Sequence, residues 1–193
     1  DMEIIPKRKL NLHLNRKSKR FAIDLHLVLR RIAYYHTISL DLRKKWHRLM
    51  LRTRATDEHL KSLFMQGIET PNGEKFGGKG FRSTWQETVV AVASALNKNT
   101  NSGDRVAPMI RDMGLSLAMG DTPLNVMAAQ MGKISSPMDG GHKYAGGRDL
   151  HIGAWDQGIL PPTAPLPIAS ATITGLALAS KHLKEKRFHV AMI

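Results

Sequence analysis

The chain has 193 residues, a formal net charge of +13 and no cysteine, with 42% hydrophobic and 23% charged residues. This composition predicts one compact domain with an ordinary apolar core, and it excludes a disulfide framework, a cysteine-held iron–sulfur cluster and a cysteine-based zinc site. The first twenty residues are rich in Lys/Arg and lack an apolar run, so no secretory signal is expected, and the apolar stretch Ile168–Ser180 is too short to span a bilayer.

Positive charge is concentrated at the N-terminus. Residues 1–54 carry 15 Lys/Arg against 4 Asp/Glu, whereas the remaining residues carry 14 against 12. The sequence therefore predicts a basic arm at residues 1–38 and a nearly neutral globular part at residues 39–193. Such an arm favours contact with a polyanion or an acidic protein surface. Nucleic acid is the less favoured partner, because few aromatic residues accompany the basic clusters.

The first predicted element is a long amphipathic helix over residues 40–67, where apolar residues recur at helical spacing. Thr84 and Glu87 have the spacing of a capping box, which predicts a second helix from about residue 84 to residue 96.

Shorter elements follow in the middle of the chain. A short buried strand is predicted over Arg105–Ile110, although Pro108 weakens it. A short helix is predicted over Met113–Met119. The pair Thr122-Pro123 predicts the start of another helix, which ends near Met131, because Thr is a good cap and Pro suits the first helical position.

The C-terminal third begins with a long irregular stretch, residues 135–165, rich in glycine and proline. Ile168–Lys184 is apolar nearly all round, which predicts a buried helix, and Phe188–Ile193 is typical of a buried parallel strand. Helices alternating with short apolar strands predict an α/β fold, in which ligands bind beyond the carboxyl ends of the strands. Because the last strand ends at residue 193, we expect the domain to be incomplete.

Arg111 is the leading candidate for chemistry. It lies just after a predicted strand and before a predicted helix, where backbone N–H groups and a guanidinium together suit a phosphate. The alternative is an ordinary ion pair with Asp112 or Asp104, and the residues alone favour that alternative.

Other candidates have simpler explanations. His142 and His151 could be ligands or acid–base groups, but their spacing matches no metal motif and surface histidines are favoured. Glu87 is more typical of a helix cap than of a catalytic carboxylate. Dinucleotide, P-loop and nucleophile-elbow motifs are absent from the sequence, so the residues alone leave the function open.

A series of segments in fixed order nevertheless resembles a known family. The segments are Leu42–Gln66 with an Arg-x-x-Asp-x-x-Leu core, Trp85-Gln86-Glu87-Thr88 with Val92–Leu96, Met109–Gly114, Gly120–Gly132, Gly146–His151, Gly158–Lys181 and Phe188–Ile193. Together they resemble the alpha subunit of thiamine-diphosphate-dependent 2-oxo acid dehydrogenases, the decarboxylating component of the pyruvate and branched-chain complexes. The resemblance covers about residues 40–193 and corresponds to the N-terminal part of that subunit.

The resemblance implies a thiamine-diphosphate-binding α/β fold and a set of cofactor contacts. Arg111 falls where the family holds the cofactor diphosphate, and Ile110 stands where the family often has Tyr, so a hydroxyl contact is lost. Leu166 falls beneath the bent cofactor, and backbone atoms at the two preceding residues contact the aminopyrimidine. The implied cofactor-binding residues are Met109, Ile110, Arg111, Ala164, Pro165 and Leu166.

Substrate and metal groups are less complete. Ser83 and His151 are the substrate-side candidates. The family's substrate-facing His is missing, and Phe81, Arg82 and Ser83 stand in its place. His151 ends the segment that resembles the family's glycine-rich loop. The family's magnesium motif, Gly-Asp-Gly, would follow the last strand, so no metal ligand is expected within these residues. Catalytic groups are expected on the beta subunit and beyond Ile193.

The implied activity is oxidative decarboxylation of pyruvate or a branched-chain 2-oxo acid, with acyl transfer to lipoamide. The implied cofactors are thiamine diphosphate and magnesium. The implied partners are a beta subunit, in an α2β2 heterotetramer, and a lipoyl acyltransferase. We expect a cytoplasmic or mitochondrial-matrix location, and no activity from the isolated chain. The alternative is a non-catalytic descendant of this fold that serves as a scaffold or binding subunit in a basic assembly such as a ribonucleoprotein.

Overall fold

The computed structural model describes residues 27, 29, 37–69, 71–73, 75–76, 80–99, 103–133, 135–138, 151–162, 165 and 167–193. The chain divides into two compact units, residues 1–43 and 44–193. Most of the predicted basic arm, and His142, lie outside the described residues, so the scaffold alternative stays a prediction. In the described part of the chain, no helix is long and apolar enough to cross a bilayer.

The long N-terminal helix is confirmed as α1, Leu40–Gln66. Ser39 caps its start, because the Ser39 hydroxyl accepts the N–H of Leu42 at 3.2 Å. A short antiparallel hairpin follows, formed by β1, Ile68–Glu69, and β2, Lys75–Phe76. This hairpin was not predicted from the sequence.

A small parallel sheet lies at the centre of the second unit. Its middle strand is β3, Arg105–Ala107, which is shorter than predicted because Pro108 has no N–H for the ladder. On one side β3 pairs in parallel with β4, His189–Ala191. On the other side Val106 exchanges backbone hydrogen bonds with residues 158–160, at 2.8 and 2.9 Å, in a parallel bridge. Residues 158–160 therefore form a third parallel segment inside the predicted irregular stretch.

Helices cover both faces of this sheet. Successive strand residues point to opposite faces, and Val106 and Ala107 accordingly belong to different core clusters. Val106 packs with α2, Val90–Ser94, and α3, Met113–Met119. Ala107 packs with α5, Pro167–His182. This mixed arrangement agrees with the predicted α/β class.

Helix α3 is buried along its whole length and crosses α1 closely. A Cβ added at Gly114 would lie 3.2 Å from Thr53 Oγ1 and 3.2 Å from a methyl group of Val90. Glycine therefore permits the approach of the helices at this crossing. The next helix, α4, spans Pro123–Gln130 and starts as predicted, because the Thr122 hydroxyl accepts the N–H of Asn125 at 3.1 Å.

The predicted helix over residues 84–96 is wrong at its start. A 3-10 turn, Glu87–Val89, precedes the short helix α2, and the predicted capping box does not form. The Thr84 hydroxyl instead donates to Asp57 at 2.7 Å. The Thr84 hydroxyl, which the local spacing predicted as a helix cap, thus binds the carboxylate of Asp57, a residue distant in the sequence.

The predicted burial of the two C-terminal elements is also wrong. Only Ala169, Ile173 and Ser180 are buried on α5, and Leu178 is 56% exposed. Strand β4 is parallel, as predicted, but half-buried. Helix α5 packs on the sheet through one narrow row of buried residues. The apolar composition of the helix does not show whether another element covers the faces that point away from the sheet.

Candidate functional site

Arg111 lies in a tight turn after the carboxyl end of β3. The Asp112 N–H donates to the Met109 carbonyl at 2.9 Å, and the Met109 N–H donates to Asp112 Oδ2 at 2.9 Å. The turn thus closes through two reciprocal hydrogen bonds. Ile110 is half-buried and Arg111 is exposed, whereas Asp112 is buried at the start of α3.

The ion pair that the residues alone favoured for Arg111 does not form. The Asp112 carboxyl faces the Met109 N–H, and the Asp104 carboxylate accepts backbone N–H groups of Asn97 at 2.7 Å and Phe188 at 2.6 Å. Among the described residues, Arg111 has no carboxylate partner. Its positive charge therefore remains available to an anion.

The carboxyl ends of the three parallel segments meet at one edge of the sheet. Strand β3 leads there to the Arg111 turn, and residues 158–160 lead to Pro165 at the start of α5. The end of β4 is held at the same edge, because the Met192 N–H donates to the Ala107 carbonyl at 3.0 Å. This edge is where α/β folds bind ligands. Ala164 and Leu166 lie outside the described residues.

A second polar cluster, here called the clamp, joins α1 to the segment before α2. Asp57 is almost completely buried and accepts hydrogen bonds from the Ser83 N–H at 2.8 Å and from Arg82 Nε at 2.9 Å, in addition to the Thr84 hydroxyl. Arg82 also reaches Glu58 at 2.7 Å. The Asp57 carboxylate is therefore fully used inside the protein.

Glu87 forms the other half of the clamp. It is buried and accepts a hydrogen bond from Arg54 Nε at 2.5 Å and one from the Trp85 N–H at 3.3 Å. Burial by itself raises the pKa of Glu87, but the hydrogen bond from Arg54 and those from backbone N–H groups outweigh it and lower the pKa. The ionised form of Glu87 is therefore favoured, and it pairs with Arg54. A general acid would have to be protonated.

Trp85 sits on top of this pair in an unusual conformation. Its φ is +72°, the residue is 84% exposed, and the Arg54 guanidinium lies 5.1 Å from the centroid of its ring. A positive φ is a conformation that glycine adopts much more readily than a residue with a Cβ.

The clamp was not predicted from the sequence. The available signal was the Arg-x-x-Asp spacing on α1, which places Arg54 and Asp57 one turn apart on the same helix face. Their partners, Arg82 and Glu87, could not be identified from that spacing, because they come from a distant segment.

The substrate-side candidates lie with the clamp. Ser83 is buried with its N–H bound to Asp57, and its hydroxyl has no hydrogen-bond partner. The His151 ring stacks on the Phe81 ring, with centroids 5.8 Å apart and planes 6° from parallel. The structure thus places His151 beside the segment that carries Ser83. Within the described ranges, no group of three or more His, Asp or Glu side chains is arranged to hold a metal ion.

These features define an α/β domain with an exposed guanidinium at the carboxyl edge of its parallel sheet. Residues 79–193 match the family described as dehydrogenase E1 component. This match covers more than half of the chain, and the chain belongs to that family. Such components act in 2-oxo acid dehydrogenation, generally depend on thiamine diphosphate and generally work in multienzyme complexes with partner subunits. No curated protein matches the chain.

Proposed function

We propose that this chain is an alpha-type subunit of a thiamine-diphosphate-dependent 2-oxo acid dehydrogenase. Its substrate is pyruvate or a branched-chain 2-oxo acid, and the acyl group passes to lipoamide. The observation that supports this proposal is the position of Arg111. Its exposed guanidinium lies at the carboxyl edge of the sheet and has no carboxylate partner in the described residues.

The donor chemistry of this edge fits a diphosphate. A guanidinium offers a planar fork of N–H donors that matches phosphate oxygens. Because Asp112 and Asp104 are engaged with backbone N–H groups, neither neutralises Arg111. Ile110 adds no hydroxyl, so the guanidinium carries a larger share of the contact here than in relatives with Tyr.

In this proposal the chain contributes binding and orientation. Thiamine diphosphate, when bound, supplies the nucleophile and the electron sink for loss of carbon dioxide. Arg111 would hold the diphosphate end, and Pro165 would lie toward the aminopyrimidine, the side to which the resemblance also assigns Ala164 and Leu166. A beta subunit in an α2β2 assembly, magnesium and a lipoyl acyltransferase belong to the same proposal, as does a cytoplasmic or mitochondrial-matrix location.

The test uses the full-length polypeptide assembled with its partner subunit. Calorimetry with thiamine diphosphate gives the dissociation constant, and carbon dioxide release from pyruvate and from branched-chain 2-oxo acids gives the activity. Arg111→Ala is expected to weaken cofactor binding by at least about tenfold, the effect of losing a charge-assisted bidentate contact.

Arg48→Ala is the matched control, because Arg48 is also exposed but lies on α1. It removes the same charge and should leave cofactor affinity unchanged. If the assembled wild-type protein neither binds thiamine diphosphate nor decarboxylates any 2-oxo acid, the proposal is wrong.

A further inference from the structure

Asp112 occupies the first position before α3 without capping that helix with its side chain. An aspartate at such a position ordinarily accepts an N–H of the first helical turn with its carboxylate. Here the backbone carbonyl of Asp112 accepts the N–H groups of Leu115 at 2.9 Å and Ser116 at 3.4 Å. The side chain points back along the chain, to the Met109 N–H.

The Asp112 side chain adds a second hydrogen bond that closes the Arg111 turn. One hydrogen bond runs from the Asp112 backbone to Met109, and the other runs from the Met109 backbone to the Asp112 side chain. The two residues between them, Ile110 and Arg111, are thereby held at both ends. A turn that is already ordered loses less conformational entropy when Arg111 engages a ligand.

The surroundings of Asp112 support this role. The residue is 1% exposed, and its Oδ1 has no hydrogen-bond partner. Burial raises the pKa of Asp112, against the opposing effect of the Met109 hydrogen bond. The buried carboxyl group holds the turn through its hydrogen bond to the Met109 N–H and does not form an ion pair with Arg111.

We propose that Asp112 is a positioning residue for the cofactor diphosphate, which holds the turn carrying Arg111 through its side-chain hydrogen bond to the Met109 N–H. This inference rests on the proposed function and deepens it, because it assigns a second residue to the same binding site.

The experiment measures thiamine diphosphate affinity in the full-length protein assembled with its partner subunit. Asp112→Ala removes the acceptor and should weaken binding about tenfold, which is the affinity equivalent of one lost hydrogen bond. Asp112→Asn keeps an oxygen that can accept the Met109 N–H, so its affinity should stay within about threefold of wild type. In steady-state assays Asp112→Ala should raise the KM for the cofactor and leave kcat at saturating cofactor unchanged.

Asp121→Ala is the matched control. Asp121 is equally buried, lies just before α4 and accepts the Thr122 N–H at 2.8 Å, but it takes no part in the Arg111 turn. The Asp121→Ala variant should have a lower thermal stability and an unchanged affinity for thiamine diphosphate. Equal weakening by Asp121→Ala and Asp112→Ala would indicate general destabilisation and overturn the inference.

A double variant separates this inference from the proposed function. If Asp112 acts through Arg111, adding Asp112→Ala to Arg111→Ala should cause no further loss of affinity. A loss with Arg111→Ala but not with Asp112→Ala overturns only the positioning role. If Arg111→Ala binds the cofactor normally, the proposed site itself is wrong. If Asp112→Ala does not fold, Asp112→Asn carries the test, and tenfold weaker binding by that variant overturns the inference.

Discussion

The clamp and the Arg111 turn use arginine in opposite ways. Arg54 forms an ion pair with the buried Glu87, and Arg82 forms one with the buried Asp57. These two ion pairs join α1 to the segment before α2. Arg111 follows a strand at the sheet edge and meets no carboxylate in the part of the chain that the structure describes. A guanidinium paired with a buried carboxylate forms a structural salt bridge, whereas one without such a partner can bind an anion. The partners of an arginine, rather than its presence in a motif, therefore distinguish the two roles.

The largest expected effect lies in the clamp. Asp57→Ala leaves a buried N–H, a hydroxyl and a guanidinium without their shared acceptor, and should lower the free energy of unfolding by about 2–3 kcal/mol. Urea unfolding measures the change. Glu58→Ala is the control, because Glu58 contacts the same arginine from an exposed position and should cost less than about 1 kcal/mol. Equal losses in the two variants would mean that burial does not set the strength of the clamp.

The two regions should also differ in the sign of their pH dependence. The lowered pKa of Glu87 adds stability that is present above the ordinary glutamate pKa and is lost as the pH falls through the lowered value. The raised pKa of Asp112 adds stability that is present below the ordinary aspartate pKa and is lost as the pH rises through the raised value.

Urea unfolding of two variants between about pH 3 and pH 8 tests this contrast. Glu87→Gln should be less stable than wild type near neutral pH, with the difference shrinking in acid. Asp112→Asn should gain on wild type as the pH rises. Parallel pH profiles for the two variants would contradict the opposite electrostatics of the clamp and the turn.

A smaller effect is expected at Trp85. Its positive φ disfavours any residue with a Cβ, so Trp85→Gly should be more stable than Trp85→Ala by about 1 kcal/mol. Both variants lose the contact between the ring and Arg54, which makes alanine the matched control. Thermal melts of the pair provide the measurement, and greater stability of the alanine variant would argue against backbone strain at this position.

The smallest effect on stability is expected at Arg111 itself. Arg111→Ala should change the free energy of unfolding by less than about 0.5 kcal/mol, as is usual for a substitution at an exposed side chain. Arg82→Ala, by contrast, should cost at least about 1 kcal/mol, because it removes a donor from Asp57. Urea unfolding of the two arginine variants gives a direct comparison, and similar losses would show that Arg111 has a structural role.

Part of the candidate site was predictable from the sequence. Arg111 was identified because a strand signal precedes it and a helix signal follows it, and both elements are present as β3 and α3. That neither Asp112 nor Asp104 pairs with Arg111 was not predictable, because both are close to it in the sequence and favoured an ion pair. Only packing decided that their carboxyl groups face backbone N–H groups instead.

The sequence by itself determined the elements whose signals are local. Helical spacing defined α1, and Thr122 with Pro123 marked the start of α4, because caps and periodicity depend on residues within a few positions of each other. Tertiary structure decided the pairing of Val106 with Ile159, the capture of Thr84 by Asp57 and the exposure of α5. Each of these outcomes depends on a partner far away in the chain, and such a partner is fixed only when the backbone has folded around one core.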